Sequence, residues 1–217
     1  MKSNIKQIQN YPTLAIHSTD NSFGFGYRKN NKLASDELFI KKFDNDLCNN
    51  LICDFNKFIS KEDLQKVNKI SVSIGPANFN ASRLIVVLAR TISQQINCPL
   101  EGFSSFEIMA KRIALKNNIF TNKQSFWIYK KLKRKGFIAG KYEIVLKEKK
   151  NEDLFIRETI MPKVIKELGI KDLVFEANYE DEEDLNELLN LSNKNLFSSV
   201  VDSWQKVLPL YPLSPIN

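Results

Sequence analysis

Histidine is almost missing from this chain: His17 is the only one in 217 residues. A metal site that needs two imidazoles at helical spacing, HExxH or HxxxH, cannot be assembled from this chain alone. A Ser-His-Asp or Cys-His arrangement would have to use His17 as its base, yet His17 ends an apolar run, 13–17 (TLAIH), with the character of a buried strand. Cysteine is scarce as well. Cys48, Cys53 and Cys98 are odd in number, lie in or near apolar stretches, and suit free buried thiols in a reducing compartment better than a zinc set. The seven glycines form no GxxxxGKS/T and no GxGxxG, and the GFG at Gly24 to Gly26 lies inside a strand with no helix directly behind it. Small residues that ease sheet packing explain that GFG better than a dinucleotide turn. No segment offers the roughly 18 unbroken apolar residues needed to span a bilayer. Residues 1–12 have no apolar run after their lysines, against a secretory signal. The expectation is a cytoplasmic protein without a membrane segment.

Apolar residues at 43% and charged residues at 26% leave room for an ordinary buried core. The formal charge of +7 would suit an acidic partner such as nucleic acid, although lysines spread along the whole chain explain it better. Residues 13–17, 22–28 and 37–43 alternate or cluster apolar side chains between turn formers, which predicts an antiparallel meander. Residues 44–59 then show helical spacing, with Asp44 as N-cap. KISVSIGP, 69–76, is a buried-type strand, followed by a helix over 80–96 capped by Asn80 or Ser82. Another helix, 104–117, is capped by Ser104 or Ser105 with Glu107 in its first turn. After a polar linker near residue 120, 125–132 and 136–147 predict a hairpin around KRKG. A short helix after Pro162, a strand at 172–177, an acidic helix at 180–191 and a last helix at 197–208 complete the series. The pattern is α/β.

The most specific stretch is SIGPANFNASR, 73–83. Gly75-Pro76 stops a strand and a helix starts directly behind it, the layout of a turn that offers free N–H groups to an anion. The order Gly75, Pro76, Phe79, Arg83, an apolar helix, Pro99 and GFSSFEIMA resembles the TsaB (YeaZ) family, whose pattern runs approximately GPGSFTGLR, helix, proline, VSSLEALA. LAIHST, 14–19, is similar to that family's LAIDTS, with His17 where the aspartate stands. WIYKKLKRKGFIAGKY loosely parallels DARRGEVY, keeping Arg134 but with Lys131 in place of the aspartate. LPLYP, 208–212, resembles the terminal P-x-Y segment. The resemblance is strong over 70–110 and thin after 145.

That resemblance implies a two-subdomain acetate/sugar kinase–Hsp70–actin (ASKHA) fold with mixed sheets. The subdomains would be 1–120 and a smaller 121–217, whose terminal helix has the option of packing back on the first. It implies a non-catalytic subunit that pairs with TsaD, the transferase placing threonylcarbamoyl on the adenosine beside the anticodon of ANN-reading tRNAs. TsaE would be a third component, and tRNA would be reached through the complex. Kinases of this fold use an aspartate at the end of the first strand to organise magnesium and phosphate. Here His17 holds that place, and Ala77, Asn78 and Ala81 replace the glycines that would let backbone close on phosphate. Gly75, Pro76, Phe79 and Arg83 are thus expected to keep the turn's shape without a ligand, and no cofactor or metal is expected.

The helix carries LIVVLA, 84–89, apolar on every side. Its sheet would cover one side and the stripe of helix 104–117 another. Any surface left over would be a partner patch, in TsaD or in a second copy, formed by Leu84, Val87, Leu88, Phe106, Met109 and Ile113; a wholly internal helix is the alternative. KKLKRK places Lys130, Lys131, Lys133, Arg134 and Lys135 among aromatics, suited either to RNA contact or to a solvated hairpin tip. EDEEDLNEL suits a solvated acidic helix face. Two readings compete with the subunit: a diverged ASKHA kinase or glycoprotease-like hydrolase, for which Asp20 is the nearest candidate acid, and a free-standing RNA-binding module.

Overall fold

Turn chemistry sets the first three strands. The computed structural model describes residues 11–29, 36–43, 47–132, 136–146, 154–167, 173–194 and 203–211. Within them β1 (Thr13–Ser18), β2 (Ser22–Arg28) and β3 (Glu37–Lys42) form the antiparallel meander. Thr19 closes the first hairpin: its hydroxyl accepts from the Asn21 and Ser22 N–H groups while its own N–H donates to the Ser22 carbonyl at 2.8 Å. Then come α1 (Leu47–Phe58), α2 (Lys61–Lys66), β4 (Lys69–Ser73), α3 (Phe79–Ile96), β5 (Leu100–Phe103) and α4 (Ser105–Lys116). Asp44 lies outside the described residues. α2 and β5 have no counterpart in the sequence expectation, being six and four residues long, too short for periodicity to register.

The N-cap of α3 is Asn78, whose side chain accepts from the Ala81 N–H, and not Asn80 or Ser82. The turn leaves the sheet early enough for Phe79 to be already helical. Ser104 caps α4 as expected, accepting from the Glu107 N–H. The same hydroxyl donates to Glu158 at 2.6 Å, and the Tyr142 phenol donates to that carboxylate at 3.0 Å, which anchors the start of α4 on the second sheet.

The second sheet comprises β6 (Ser125–Lys131), β7 (Phe137–Leu146), β8 (Leu154–Ile165) and β9 (Leu173–Glu176), after which come α5 (Asp181–Lys194) and α6 (Ser203–Lys206). β6 and β7 are the predicted hairpin. Among the described residues no helix follows Pro162: β8 runs through it to Ile165, and residues 168–172 lie outside the described residues. β8 is the edge strand and its pairing with β7 is irregular near this point, so a residue without an N–H interrupts little. Residues 197–202 of the expected last helix lie outside the described residues.

The sheets run β3-β2-β1-β4-β5, with β1, β4 and β5 parallel, and β8-β7-β6-β9, with β9 parallel to β6. Both are mixed. Period-two alternation divides β1: Leu14 and Ile16 enter the core under α1 and α3, while Ala15 enters the core under α5. The first core is aromatic. Phe25 meets Phe55 edge-on at 5.3 Å and stacks on Phe39 at 5.7 Å, each such burial being worth about 1.5–3 kcal/mol. On the other face α5 closes on β2 because Gly24 and Gly26 have no side chain. A Cβ would stand 2.9 Å from the Phe39 carbonyl at Gly24 and 3.0 Å from Leu189 at Gly26. The acidic stretch is therefore solvated on one side only, where Glu180, Glu182 and Glu183 are exposed. Asp184, Leu185, Leu188, Leu189 and Ser192 are buried, packed across the first sheet and α4, and only the opposite side of α5 meets water.

Candidate functional site

The turn that follows β4 is occupied by the chain itself. Gly75 adopts φ +102°, a backbone state that glycine tolerates, and precedes a cis bond to Pro76. Its carbonyl accepts from the Ser105 N–H at 2.8 Å. Tyr179, just before α5, donates its phenol to the Pro76 carbonyl at 2.5 Å. From the C-terminal side the Leu210 N–H donates to Ile74 at 2.7 Å, and Tyr211 packs on Phe79 at 5.2 Å with the Arg83 guanidinium 5.4 Å from the Phe79 ring. A cavity of about 200 Å³ remains beside the turn, walled largely by Pro76, Leu132, Ile138, Leu210 and Tyr211. Its walls are mostly apolar, with Ser82 and Lys130 as the polar members.

The neighbouring cleft between the two sheets, about 480 Å³ and lined by Thr19, Asp20, Lys42, Lys131, Tyr179 and Asp181, is bridged by charge. Lys130 on β6 pairs with Asp20 in the β1–β2 turn, and its ammonium lies 5.5 Å from the Tyr179 ring. Burial, with Asp20 and Asp184 nearby, raises the Tyr179 phenol well above its usual range, so it stays a proton donor. Lys130 therefore does not belong to an outward basic tip. Strand alternation puts it on the side of Phe126 and Ile128, where it ties the two sheets together. Lys131 is exposed, and Lys133, Arg134 and Lys135 lie outside the described residues. Nothing in local pattern marks Tyr179, which sits alone in a polar loop, or a pair 110 residues apart.

His17 is 2% exposed, and neither ring nitrogen has a hydrogen-bond partner. Burial lowers its pKa to about 4, with Asp181 pulling the other way. The residue in the aspartate's place is thus a neutral, enclosed ring. Among the described residues no three His, Cys, Asp or Glu side chains are grouped to hold a metal, and no described helix is long and apolar enough to cross a membrane. An unfolded imidazole protonates near pH 6.5 and this folded one near pH 4. Between those values the unfolded state binds more protons, so this group's contribution is intact above pH 6.5 and lost as the pH falls. The whole window is worth about 3 kcal/mol. In denaturant titrations, His17→Leu should gain on the wild type by that amount between neutral pH and pH 4. A difference that stays constant with pH would mean that the imidazole is partnered.

α3 is not enclosed. Ile85, Val86, Ala89 and Ile92 are buried, Leu84 and Leu88 are half-buried, and Val87 is 59% exposed. Phe79 at 42% and Tyr211 at 43% are exposed at the start of the helix, and Val87 shares the outer face with exposed Asn80, Arg83, Thr91 and Gln94. α6 covers part of another flank, where Trp204 lies 5.4 Å from the Arg90 guanidinium. α4 does not cover it. Phe106, Met109 and Ile113 are built into the second core with Phe126, Ile128 and Tyr142, so these three are unavailable to a partner. They face the second sheet because the Ser104 cap sets α4 over β7 and β8.

No family model and no curated protein matches the sequence. Among solved structures, an uncharacterized protein with similarity to peptidase YeaZ from Pseudomonas aeruginosa superposes with a TM-score of 0.68 at 12% identity, over 94% of this chain and all of the other. YeaZ from Pseudomonas aeruginosa superposes with a TM-score of 0.63 at 13% identity, over 93% of this chain and again all of the other. At such identities the likeness is one of fold, and this chain shares with the YeaZ structures the two-sheet, mixed α/β architecture expected of an ASKHA protein.

Proposed function

We propose that this chain is a cytoplasmic, non-catalytic TsaB-like subunit that binds a TsaD-type transferase through the outer flank of α3. In that complex, TsaD places threonylcarbamoyl on the adenosine beside the anticodon of ANN-reading tRNAs, TsaE is the third component, and tRNA is reached through the assembly. The observation carrying the reading is Val87, 59% exposed in the middle of a helix whose other faces are packed. A partner seated on this outer face would remove Val87 from water and meet the exposed Arg83 and Thr91 around it. The interior of the cleft supports the absence of chemistry in this subunit, since His17 is neutral and Asp20 and Lys130 are engaged with each other. In isolation the same flank would serve a second copy of the chain.

Gel filtration of the chain mixed with the TsaD protein of its own source organism tests the reading. A stable joint peak is expected, with no nucleotide turnover by the chain alone; separate elution overturns it. Magnesium-dependent ATP binding that disappears in Asp20→Asn would instead support a diverged kinase.

A further inference from the structure

The cavity beside the Gly75 turn is shared by three parts of the chain: the first turn of α3, the β6–β7 hairpin and the C-terminal segment. Leu132, Ile138 and Tyr211 make much of its wall, and Phe79 stands at the helix side. Phe79 and Tyr211 are exposed, so a ligand can enter from solvent. An apolar cavity of about 150 Å³ takes a benzene ring. By that measure the 200 Å³ present here holds roughly eight or nine non-hydrogen atoms. A nucleotide is far too large.

The polar members of the wall specify one end of that ligand. Ser82 is 4% exposed, and its hydroxyl has no hydrogen-bond partner among the described residues. A buried hydroxyl left unpaired is unfavourable, and a ligand that bonds it removes the penalty. Lys130 carries an ammonium with three donors, of which the Asp20 carboxylate engages one. Ser82 also belongs to the first turn of α3, an eighteen-residue helix whose dipole favours a negative group at this end. Hydroxyl, ammonium and helix start together call for an anionic acceptor. A phosphate dianion is poorly matched, because Asp20 already offsets much of the lysine's charge and the remaining walls offer carbon. One carboxylate on an apolar body fits both halves of the cavity.

We propose that this cavity binds a small carboxylic acid with an aromatic or branched aliphatic body, its carboxylate toward Ser82 and Lys130 and its carbon skeleton among Leu132, Ile138 and Tyr211. One such molecule touches the start of α3, the hairpin and the C-terminal segment at once, so its binding stabilises their arrangement. The site is distinct from the outer face at Val87 and does not depend on the subunit reading.

The test titrates the full chain with benzoate and 3-methylbutanoate, read by saturation transfer to the ligand in NMR, with benzamide as the neutral counterpart of benzoate. Both acids should bind with a dissociation constant of about 1 mM or lower. Benzoate should bind about ten-fold more tightly than benzamide. Benzoate at about 10 mM should raise the thermal midpoint by about 3 °C or more over an equal concentration of sodium chloride. Ser82→Ala should weaken benzoate about five-fold or more. Leu132→Trp, its fold checked by circular dichroism, fills the cavity and should abolish binding. Absence of transfer from both acids, equal affinity for benzoate and benzamide, or wild-type binding by either variant overturns the proposal. Ser82→Ala should still co-elute with TsaD, because Ser82 is buried and Val87 is not, so this inference and the subunit reading can fail separately.

Discussion

Val87→Asp should abolish co-elution with a TsaD-type partner while leaving the thermal midpoint of the isolated chain nearly unchanged. The two halves of that expectation have separate causes. In the free chain Val87 is mostly in water, so the substitution removes little packing, and exposed changes of this sort stay within about 0.5 kcal/mol. In a complex the same position would lie under the partner, and a carboxylate without a counter-charge would be carried into an apolar contact. The cost of such desolvation, joined to the removal of a central anchor, is expected to exceed about 3 kcal/mol, more than a hundred-fold in affinity. Two controls give the result its meaning. Ile85→Asp, at a fully buried position two residues earlier, should unfold the chain instead. Leu115→Asp should leave association intact: Leu115 is 47% exposed, but on α4, whose apolar stripe belongs to the second core. Association that survives Val87→Asp places the interface elsewhere.

Much of the fold is written in local pattern. The meander, the strand before Gly75, α3, the Ser104 cap and the β6–β7 hairpin follow from period, turn residues and capping chemistry, each acting over a few positions. The departures arise where distant residues decide. Residues 180–191 have an acidic surface pattern, yet α5 is drawn onto the sheet by the missing side chains of Gly24 and Gly26 and by Arg112 on α4. β8 passes through Pro162 because an edge strand tolerates it. The basic run at 130–135 divides for a reason the strand period already contained: Lys130 falls on the side of Phe126 and Ile128, and Lys131 on the side of Trp127 and Tyr129. Residue type suggested a single patch, whereas geometry makes Lys130 a tie across the cleft to Asp20. For the same reason Phe106, Met109 and Ile113, apolar at helical spacing, carried no hint of which neighbour they would meet.

Arg112→Ala should destabilise the chain by about 3–5 kcal/mol at neutral pH, the cost expected when a buried ion pair is left with one partner. The Arg112 side chain places Nη2 2.8 Å and Nε 3.2 Å from one oxygen of Asp184, while the other oxygen accepts the Glu180 N–H at 3.0 Å. Asp184 is 1% exposed in its side chain. Burial raises its pKa from 3.8 to about 6, with Arg112 the main opposing influence. The folded carboxyl thus holds its proton more tightly than the unfolded one, and this group's contribution is greatest below pH 3.8 and declines as the pH rises through 6. Without the guanidinium that window extends further upward. The deficit of Arg112→Ala should therefore be largest above pH 6 and shrink in acid, where the carboxyl is neutral in both proteins. In an Asp184→Asn background the same substitution should cost about 1 kcal/mol or less, leaving a coupling of at least about 2 kcal/mol. Equal cost in both backgrounds, or a deficit that ignores pH, would mean that Arg112 acts through packing alone. The pair reaches beyond stability, because Arg112 also donates to the Asn178 carbonyl at 2.5 Å. It fixes the loop that presents Tyr179 to the Pro76 carbonyl, so releasing it should loosen the tie across the turn from which α3 starts.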